Sequence, residues 1–241
     1  MTMADVHSPP DCTTGRTSDA ARRLIDFVVA SASLTILSPA IAIISASILF
    51  ESGWPIFFSQ ERLGRRGRLF RIYKFRKFHR ECGTNGCGLT TKHDRRMTRL
   101  GRFLERTKLD ELPQLWNILN GDMSIVGPRP ESLALSDSFT GCYFAVLEHK
   151  PGVFGPNQYY FRNECALYPE AGDPENFYRE VLFPLKAKID LAYFPHRTLH
   201  SDIGWIVRGL LVVFHLRFTP NRRFDEMLAS WEYSKSREGP G

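Results

Sequence analysis

Two adjacent carboxylates, Asp110 and Glu111, are the residues of this sequence whose types and spacing are best suited to chemistry. Pro113 follows closely and is tolerated only in a first helical turn, so we expect a helix that starts near Asp110. A helix start favours an ionised carboxylate and offers unpaired N–H groups to a phosphate. Asp110 is then a candidate nucleophile, and Glu111 a candidate ligand for a hard cation such as Mg²⁺. The alternative is that Asp110 only caps the helix and Glu111 is a solvated acid.

A stiff GPRP segment lies downstream of the acidic pair. Pro128 and Pro130 fix the backbone around Arg129, whose guanidinium group is suited to bidentate recognition of a phosphate. A second group of cations alternates with aromatic residues in the segment YKFRKF and includes Lys74 and Arg76. Acids, a restricted arginine and a basic strand together predict a site that handles phosphate.

The composition limits the possible partners. The 241 residues carry a net charge of +6, which favours an anionic partner: nucleic acid, acidic lipid or a phosphorylated substrate. The five cysteines are odd in number and scattered, which indicates a reducing compartment rather than a disulfide framework. A glycine-rich stretch contains four possible zinc ligands, His79, Cys82, Cys87 and His93. Most zinc sites use more tightly spaced pairs, so we prefer to interpret this stretch as a flexible loop.

An apolar run covers residues 24–50, with Asp26 as its only charge, and is long enough to cross a bilayer. Pro39 removes a backbone donor near the middle of the run, and the Ser38 hydroxyl is placed to bond a freed carbonyl. Basic residues flank both ends, and the positive-inside tendency keeps both flanks cytoplasmic. We therefore predict a re-entrant helix-break-helix over 20–51, broken at Ser38 and Pro39. A kinked transmembrane helix and a buried core helix are the alternatives.

Periodicity and turn residues predict the remaining elements. We expect a hairpin at 55–79 and helices at 94–106, 110–120, 132–147, 173–191 and 201–218. The last contains Arg208 near its centre, which is costly in a membrane span, so we interpret this helix as interfacial or core-facing.

In these segments the sequence resembles the bacterial sugar transferase family, the monotopic polyprenyl-phosphate phosphoglycosyl transferases. The motifs that carry the resemblance run in order from about Arg22 to Leu216. They are RRLIDFVVA with the Ser-Pro break, PIFFSQERLGRRGRLFRIYKFRKF, HDRRMTRLGRFLERTKLDELPQLWNILNGDMSIVGPRPE and KPGVFGPNQYYFRNE.

The resemblance implies a reaction and roles for the site residues. A sugar 1-phosphate would pass from a UDP-sugar to polyprenyl (undecaprenyl) phosphate, with release of UMP, as the initiating step of bacterial surface glycan assembly. Asp110 would be the nucleophile that forms a covalent phosphosugar intermediate, and Glu111 would bind Mg²⁺. The expected substrate-binding set is Lys74, Arg76, Pro128, Arg129 and Pro130.

The implied fold class is α+β and mainly helical: a re-entrant membrane helix joined to a small cytosolic catalytic domain with interfacial helices. The expected division is a disordered N-terminus at 1–19, the membrane helix at 20–51, the catalytic domain at 52–220 and a tail at 221–241. The expected location is the cytoplasmic face of the bacterial inner membrane. Membrane lipid is an expected partner, nucleic acid is not, and a homo-oligomer is compatible with the resemblance.

Two positions depart from the family pattern. Glu105 stands where the family often has a basic residue, five positions before the aspartate, and the KFR motif continues as KFH rather than toward a small residue and methionine. Two alternatives to the enzyme remain open. One is a non-catalytic basic module that binds nucleic acid or anionic lipid at a membrane surface. The other is a family member that has lost activity.

Overall fold

The computed structural model describes residues 12–80, 94–162, 164, 167–168 and 173–213. Over these residues it confirms a mainly helical α+β chain with a long apolar N-terminal helix and small sheets. The helices are α1 (Cys12–Ser52), α2 (Arg99–Thr107), α3 (Gln114–Asn120), α4 (Pro156–Tyr160), α5 (Pro174–Phe177), α6 (Phe183–Tyr193) and α7 (Leu199–Val213). The strands are β1 (Phe57–Leu63), β2 (Leu69–Phe75), β3 (Ser124–Val126) and β4 (Gly152–Phe154).

The predicted break at Ser38 and Pro39 is wrong as an interruption of the helix, because α1 continues through Pro39. A proline at position 39 cannot donate to the carbonyl of Thr35, four residues earlier. The hydroxyl of Ser38 donates to that carbonyl at 2.8 Å, as the sequence predicts, and so replaces the lost bond. The freed acceptor is therefore satisfied within the helix, which explains how the helix tolerates an internal proline.

The helix α1 also begins earlier than expected. Its first residue is Cys12, within the range 1–19 for which the sequence predicts disorder, while residues 1–11 lie outside the described chain. Extending a helix that already exists needs no new nucleation, which is the physical reason that a polar segment can continue it. Among the described residues, the stretch Asp19–Ser52 is long and apolar enough to cross a membrane. Only 11% of its most apolar window is buried, so the alternative of a buried core helix is wrong.

The predicted hairpin at 55–79 is confirmed. Strands β1 and β2 pair antiparallel, with Phe57 opposite Phe75 and Leu63 opposite Leu69. A short 3₁₀ turn at Arg65–Gly67 joins them. Strands β3 and β4 form a second, parallel pair in which Val126 lies opposite Phe154.

The later helices agree only partly with the sequence pattern. The expected helix at 132–147 is wrong as an α-helix, since the chain forms two 3₁₀ segments, Leu133–Ser138 and Gly141–Glu148. Gly141 begins the second segment with a φ of 55°, in the left-handed region that an α-helix excludes. The helical prediction at 173–191 is confirmed as α5 and α6, which a π-turn at Tyr178–Leu182 connects.

The helix expected at 201–218 is α7, and residues 214–218 lie outside the described chain. One side of α7 packs on the domain through the buried residues Asp202 and Trp205. The other side exposes an apolar stripe that consists of Leu199, Ile203, Val207 and Leu210. The helix is thus core-facing on one side, and contact of its stripe with lipid stays a prediction.

Two apolar clusters hold the described chain together. The larger one joins Ala30 of α1 to β3, to α6 and to Trp205 of α7. The smaller one joins Ile44 and Ile48 of α1 to Phe75 of β2 and Leu104 of α2. Both halves of α1 therefore pack against the domain that follows it in sequence.

Candidate active site

The acidic pair lies in a tight turn between two helices. Helix α2 ends at Thr107, and its C-cap Lys108 has a left-handed φ of 61° and redirects the chain into a 3₁₀ turn over Leu109–Glu111. The predicted helix start near Asp110 is therefore wrong by four residues: α3 begins at Gln114, with Pro113 at its N-cap. The predicted helix stop after Asn120 is confirmed, where Gly121 takes a φ of 87°.

Asp110 is almost completely enclosed. Only 3% of its surface is exposed, and its Oδ1 accepts no hydrogen bond from any residue that the structure describes. A buried carboxylate oxygen without a donor is costly unless a ligand, an ion or a proton satisfies it. The burial and the missing donor therefore distinguish Asp110 from a carboxylate that only caps a helix.

Glu111 is held by two of the predicted substrate-binding cations. Its Oε1 lies 2.9 Å from Nζ of Lys74 and 3.6 Å from a terminal nitrogen of Arg129. The structure thus brings together Asp110, Glu111, Lys74 and Arg129, which come from three separate segments of the chain. Their assigned roles in substrate binding remain predictions.

The two carboxyl groups differ in their ionisation. Burial raises the pKa of Asp110, and the charge of Glu111 adds to this effect, while Lys74 opposes it. Burial also acts against ionisation of Glu111, but Lys74, Arg129 and Lys108 outweigh it and hold the pKa of Glu111 well below its usual range. The expectation that a helix start favours ionised Asp110 is not met, because α3 begins four residues later and burial dominates.

The GPRP segment follows directly on strand β3. Its two prolines are buried and Arg129 between them is partly exposed. Backbone bonds fix both sides of the segment, since Gly127 N–H donates to the carbonyl of Phe154 at 3.0 Å and Gly152 N–H donates to that of Pro128 at 2.9 Å. A Cβ at Gly127 would lie 2.2 Å from the carbonyl oxygen of Lys150, so only glycine allows this close approach. Arg129 therefore projects from a backbone with little freedom.

Asn117 connects the helix after the acidic pair to the strand that carries Lys74. Its side chain accepts from the N–H of Tyr73 at 3.0 Å and donates to the carbonyl of Arg71 at 2.7 Å. The residue has no exposed surface, so both bonds are shielded from water. The position of Lys74 relative to α3 is set by this amide.

Arg76 lies apart from the acidic pair. It donates to the carbonyls of Ser52 and Gly53 at 2.9 and 2.6 Å and to the Ser52 hydroxyl at 2.8 Å, at the C-terminal end of α1. A cation at this end of a helix stabilises its last carbonyl groups. The structure therefore gives Arg76 a contact with the end of α1, and its substrate contact stays a prediction.

Sequence comparison places the chain among known proteins. A profile described as bacterial sugar transferase matches residues 17–216. The chain belongs to this family.

Three curated relatives of the family illustrate the similarity. Galactosyl transferase CpsE of Streptococcus agalactiae is 32% identical over 204 residues, covering 80% of this chain and 42% of the relative. A UDP-glucose:undecaprenyl-phosphate glucose-1-phosphate transferase of Xanthomonas campestris is 39% identical over 195 residues, covering 78% of this chain and 37% of the relative. The Escherichia coli protein of the same name is 37% identical over 137 residues, covering 56% of this chain and 30% of the relative. The chain thus spans less than half the length of these three relatives.

The two departures from the sugar transferase pattern meet in space. Glu105 on α2 accepts a bond from Lys77, whose Nζ lies 2.9 Å from its Oε1. Lys77 directly follows the KFR motif, where the second departure begins. Lys77 therefore neutralises the negative charge of Glu105. Its positive charge also lowers the pKa of Asp110, against the effect of burial.

Sequence reasoning missed a buried polar network close to Arg129. Lys186 on α6 is 3% exposed and lies 2.9 Å from Glu164, 3.6 Å from Glu131 and 2.8 Å from the hydroxyl of Tyr178. Burial lowers the pKa of Arg129, but Glu111 raises it and both of these glutamates add to that effect, so the pKa lies above its ordinary value. The available signal was a lysine within the apolar run of α6, but its partners are too distant in sequence to be assigned from periodicity.

Mg²⁺, which the resemblance implies, can be tested against the donor set. The described residues contain no group of three or more His, Cys, Asp or Glu side chains that could hold a metal. Asp110 and Glu111 supply two adjacent carboxylates, one with an oxygen that lacks any described donor. This set fits Mg²⁺, which takes one or two protein carboxylates and completes its shell with water and substrate phosphate.

Proposed function

We propose that this protein transfers a sugar 1-phosphate from a UDP-sugar to polyprenyl phosphate and releases UMP, as the first step of surface glycan assembly in bacteria. The names of the relatives from Xanthomonas and Escherichia state this kind of reaction with UDP-glucose and undecaprenyl phosphate. The observation that carries the proposal is the buried Asp110, whose Oδ1 lacks a described donor, beside an ion-paired Glu111.

The reaction proceeds in two displacements at one phosphorus atom. An oxygen of ionised Asp110 attacks the β-phosphorus of the UDP-sugar, and the bond from that phosphorus to the bridging oxygen breaks. The electron pair of the broken bond leaves with UMP, so a covalent aspartyl-phosphosugar forms. An oxygen of polyprenyl phosphate then attacks the same phosphorus and restores the carboxylate of Asp110. No net proton transfer is required at the nucleophile.

Each neighbouring residue supports a part of these steps. Lys74 and Arg129 present positive charge beside the acidic pair, where a diphosphate would carry its negative charge. Glu111 stays ionised because of the same two cations, so it is available as a ligand together with Asp110. Mg²⁺ held there would supply charge neutralisation on the phosphate oxygens.

The packing of α1 supports a re-entrant arrangement. Ala30 is fully buried in the larger cluster, and Ile44 is 9% exposed in the smaller one. Ile44 lies fourteen residues after Ala30, which corresponds to about 21 Å of helix, less than the roughly 30 Å hydrocarbon core of a bilayer. A helix that is docked on one domain at both points has too little length between them to cross. We propose that the apolar segment enters and leaves by the cytoplasmic face of the inner membrane.

The experiment that tests the function measures the nucleotide product. Purified full-length protein is incubated with a panel of UDP-sugars, polyprenyl phosphate and Mg²⁺, and UMP and UDP are separated by chromatography. Release of UMP with transfer of label from the β-phosphate to lipid is the expected result. UDP release would mean transfer of the sugar alone. No nucleotide release from any sugar, with salt-sensitive binding to nucleic acid or anionic vesicles, would replace the proposal by the non-catalytic alternative.

A further inference from the structure

One turn of α1 contacts both segments that carry the catalytic groups. Arg23 donates to the carbonyls of Ile118 and Leu119 at 2.5 and 2.6 Å, at the end of α3. Asp26, three residues further along α1, accepts from the N–H of Ile125 on β3 at 2.9 Å. Residues three apart lie on the same face of a helix, so the two contacts come from one surface of α1.

These two contacts lie next to the active site in sequence. The turn with Asp110 and Glu111 leads directly into α3, whose last carbonyls Arg23 holds. Strand β3, which Asp26 holds, leads directly into the GPRP segment with Arg129. The separation between the acidic pair and Arg129 therefore depends on how α3 and β3 are placed relative to α1.

The environment of this turn makes the contacts strong. Asp26 is 5% exposed, so its bond to the Ile125 N–H is shielded from water. The guanidinium of Arg23 lies over Gly121, where a Cβ would be 3.4 Å from its terminal nitrogen. A third connection runs from Arg22 to the carbonyl of Arg197 at 3.2 Å, and Arg197 donates to Val126 of β3 at 3.0 Å.

We propose that Arg23 and Asp26 are positioning residues, which set the distance between Glu111 and Arg129 by holding α3 and β3 on the membrane helix. This inference rests on the proposed function, since it assigns a task within that active site. It also gives the N-terminal part of α1 a role separate from membrane anchoring: that part forms the surface on which the catalytic segments are assembled.

The test compares three variants of the full chain in the UMP-release assay. Asp26→Ala removes the acceptor, and we expect kcat to fall by about tenfold, because a displaced β3 would misplace Arg129 relative to the acidic pair. Asp26→Asn keeps an oxygen at the same place and should retain activity within about threefold of the wild type. Asp137→Ala is the control, because Asp137 is exposed and lies outside the contacts between α1, α3 and β3.

A double-mutant cycle separates positioning from loss of fold. If Asp26 acts through Arg129, Asp26→Ala should lower kcat by less than about threefold in an Arg129→Lys background. Arg129→Lys already removes the guanidinium group whose position Asp26 would maintain. The proposal would be overturned if Asp26→Ala lowered kcat by the same factor in the wild type and in Arg129→Lys. It would also be overturned if Asp26→Asn lowered kcat as much as Asp26→Ala does. A membrane-bound fraction equal to that of the wild type is expected for all variants.

Hydrogen exchange gives a readout that does not depend on activity. The Ile125 amide should exchange faster in Asp26→Ala than in the wild type and in Asp26→Asn, since only Asp26→Ala removes its acceptor. If the wild type releases no UMP, the proposed function fails and this measurement still tests the contact. If the wild type is active and the amide exchanges equally in all variants, the positioning role is refuted while the function stands.

Discussion

The ammonium group of Lys74 lies 2.9 Å from Oε1 of Glu111, and the two side chains are only 18% and 13% exposed. Burial lowers the pKa of Lys74, whereas the charge of Glu111 opposes this and favours the ammonium form. Because the contact is short and Glu111 stays ionised, the two residues form an ion pair inside the site. Removal of one partner of a buried pair leaves the other charge uncompensated, which costs about 3–5 kcal/mol. The pair is thus a structural requirement as well as a candidate phosphate contact.

The pH dependence of catalysis should report the raised pKa of Asp110. Attack requires the ionised carboxylate, so kcat/KM should rise with pH through a pKa above the ordinary value of 3.8. Lys74 lowers this pKa, so Lys74→Ala should move the acid limb to higher pH as well as reduce the maximum. The measurement is UMP release between pH 4 and 8. Lys188→Ala, on the exposed side of α6, should leave the limb in place; an unshifted limb in Lys74→Ala would contradict the electrostatic argument.

Asp110→Asn should abolish turnover, with a loss of about 10³-fold or more, because an amide cannot replace the carboxylate as nucleophile. The same variant should fail to form the covalent adduct with a UDP-sugar labelled at the β-phosphate. The measurement is intact-protein mass spectrometry in the absence of polyprenyl phosphate, and we expect the adduct in the wild type only. Asp137→Asn, at an exposed position, is the control. Full activity of Asp110→Asn would refute the assigned nucleophile.

The response to Mg²⁺ should depend on Glu111. A chelator should stop UMP release, and added Mg²⁺ should restore it. Glu111→Gln keeps the size of the side chain but loses its charge, so activity should fall and half-maximal activity should need about tenfold more Mg²⁺. The measurement is a Mg²⁺ titration of the wild type and of the variant. A titration curve identical to that of the wild type would remove Glu111 from the metal site.

Local patterns predicted the elements around the site well. Alternating apolar and basic residues indicated the hairpin, and Asn120-Gly121 marked the end of α3. The Ser38 hydroxyl was correctly matched to a carbonyl that Pro39 frees. Each of these features depends on residues within a few positions of one another, where propensity and hydrogen bonding are decided locally.

Features that depend on distant contacts could not be predicted in the same way. Asp110 was expected to be ionised at a helix start, but its burial, which raises its pKa, comes from tertiary packing. Sequence proximity groups Arg76 with Lys74, and residues two apart on a strand share a face. Strand β2 ends at Phe75, however, and Arg76 beyond it contacts the end of α1. The partners of Asp26 and Lys186 lie far along the chain, so neither contact has a sequence signature.

Stability should fall in mild acid because of His149. Burial, together with Arg197 and Arg65, lowers the pKa of His149 to about 4 from 6.5. The folded state binds this proton less well than the unfolded state does, so the contribution to stability is full above pH 6.5 and is lost as the pH falls toward 4. Since His149 is partly exposed, we expect a loss on the order of 1 kcal/mol, or about 2–4 °C in Tm, between pH 7 and 5.

A substitution isolates this effect. His149→Phe keeps a ring against Phe194, whose centroid lies 5.5 Å away, and removes the titrating group. Its Tm should fall less than that of the wild type between pH 7 and 5, as measured by scanning fluorimetry in detergent. His196→Phe, at an exposed position, should behave as the wild type. The same pH dependence in His149→Phe and in the wild type would contradict the assignment.

Labelling of single cysteines should place both flanks of the apolar segment on one side of the membrane. In a background with the native cysteines replaced, Asp19→Cys and Glu61→Cys lie before and after the segment at exposed positions. An impermeant maleimide should label both in inverted vesicles and neither in right-side-out spheroplasts, because α1 is docked on the domain at both ends. Ile36→Cys is the matched probe within the segment. Ile36 is 74% exposed from the protein, so protection of this cysteine from the reagent would come from lipid. Labelling of the two flanks from opposite sides would mean that the helix crosses the bilayer. The contacts of Ile44 and Ile48 with the domain would then have to be absent in the membrane-bound protein.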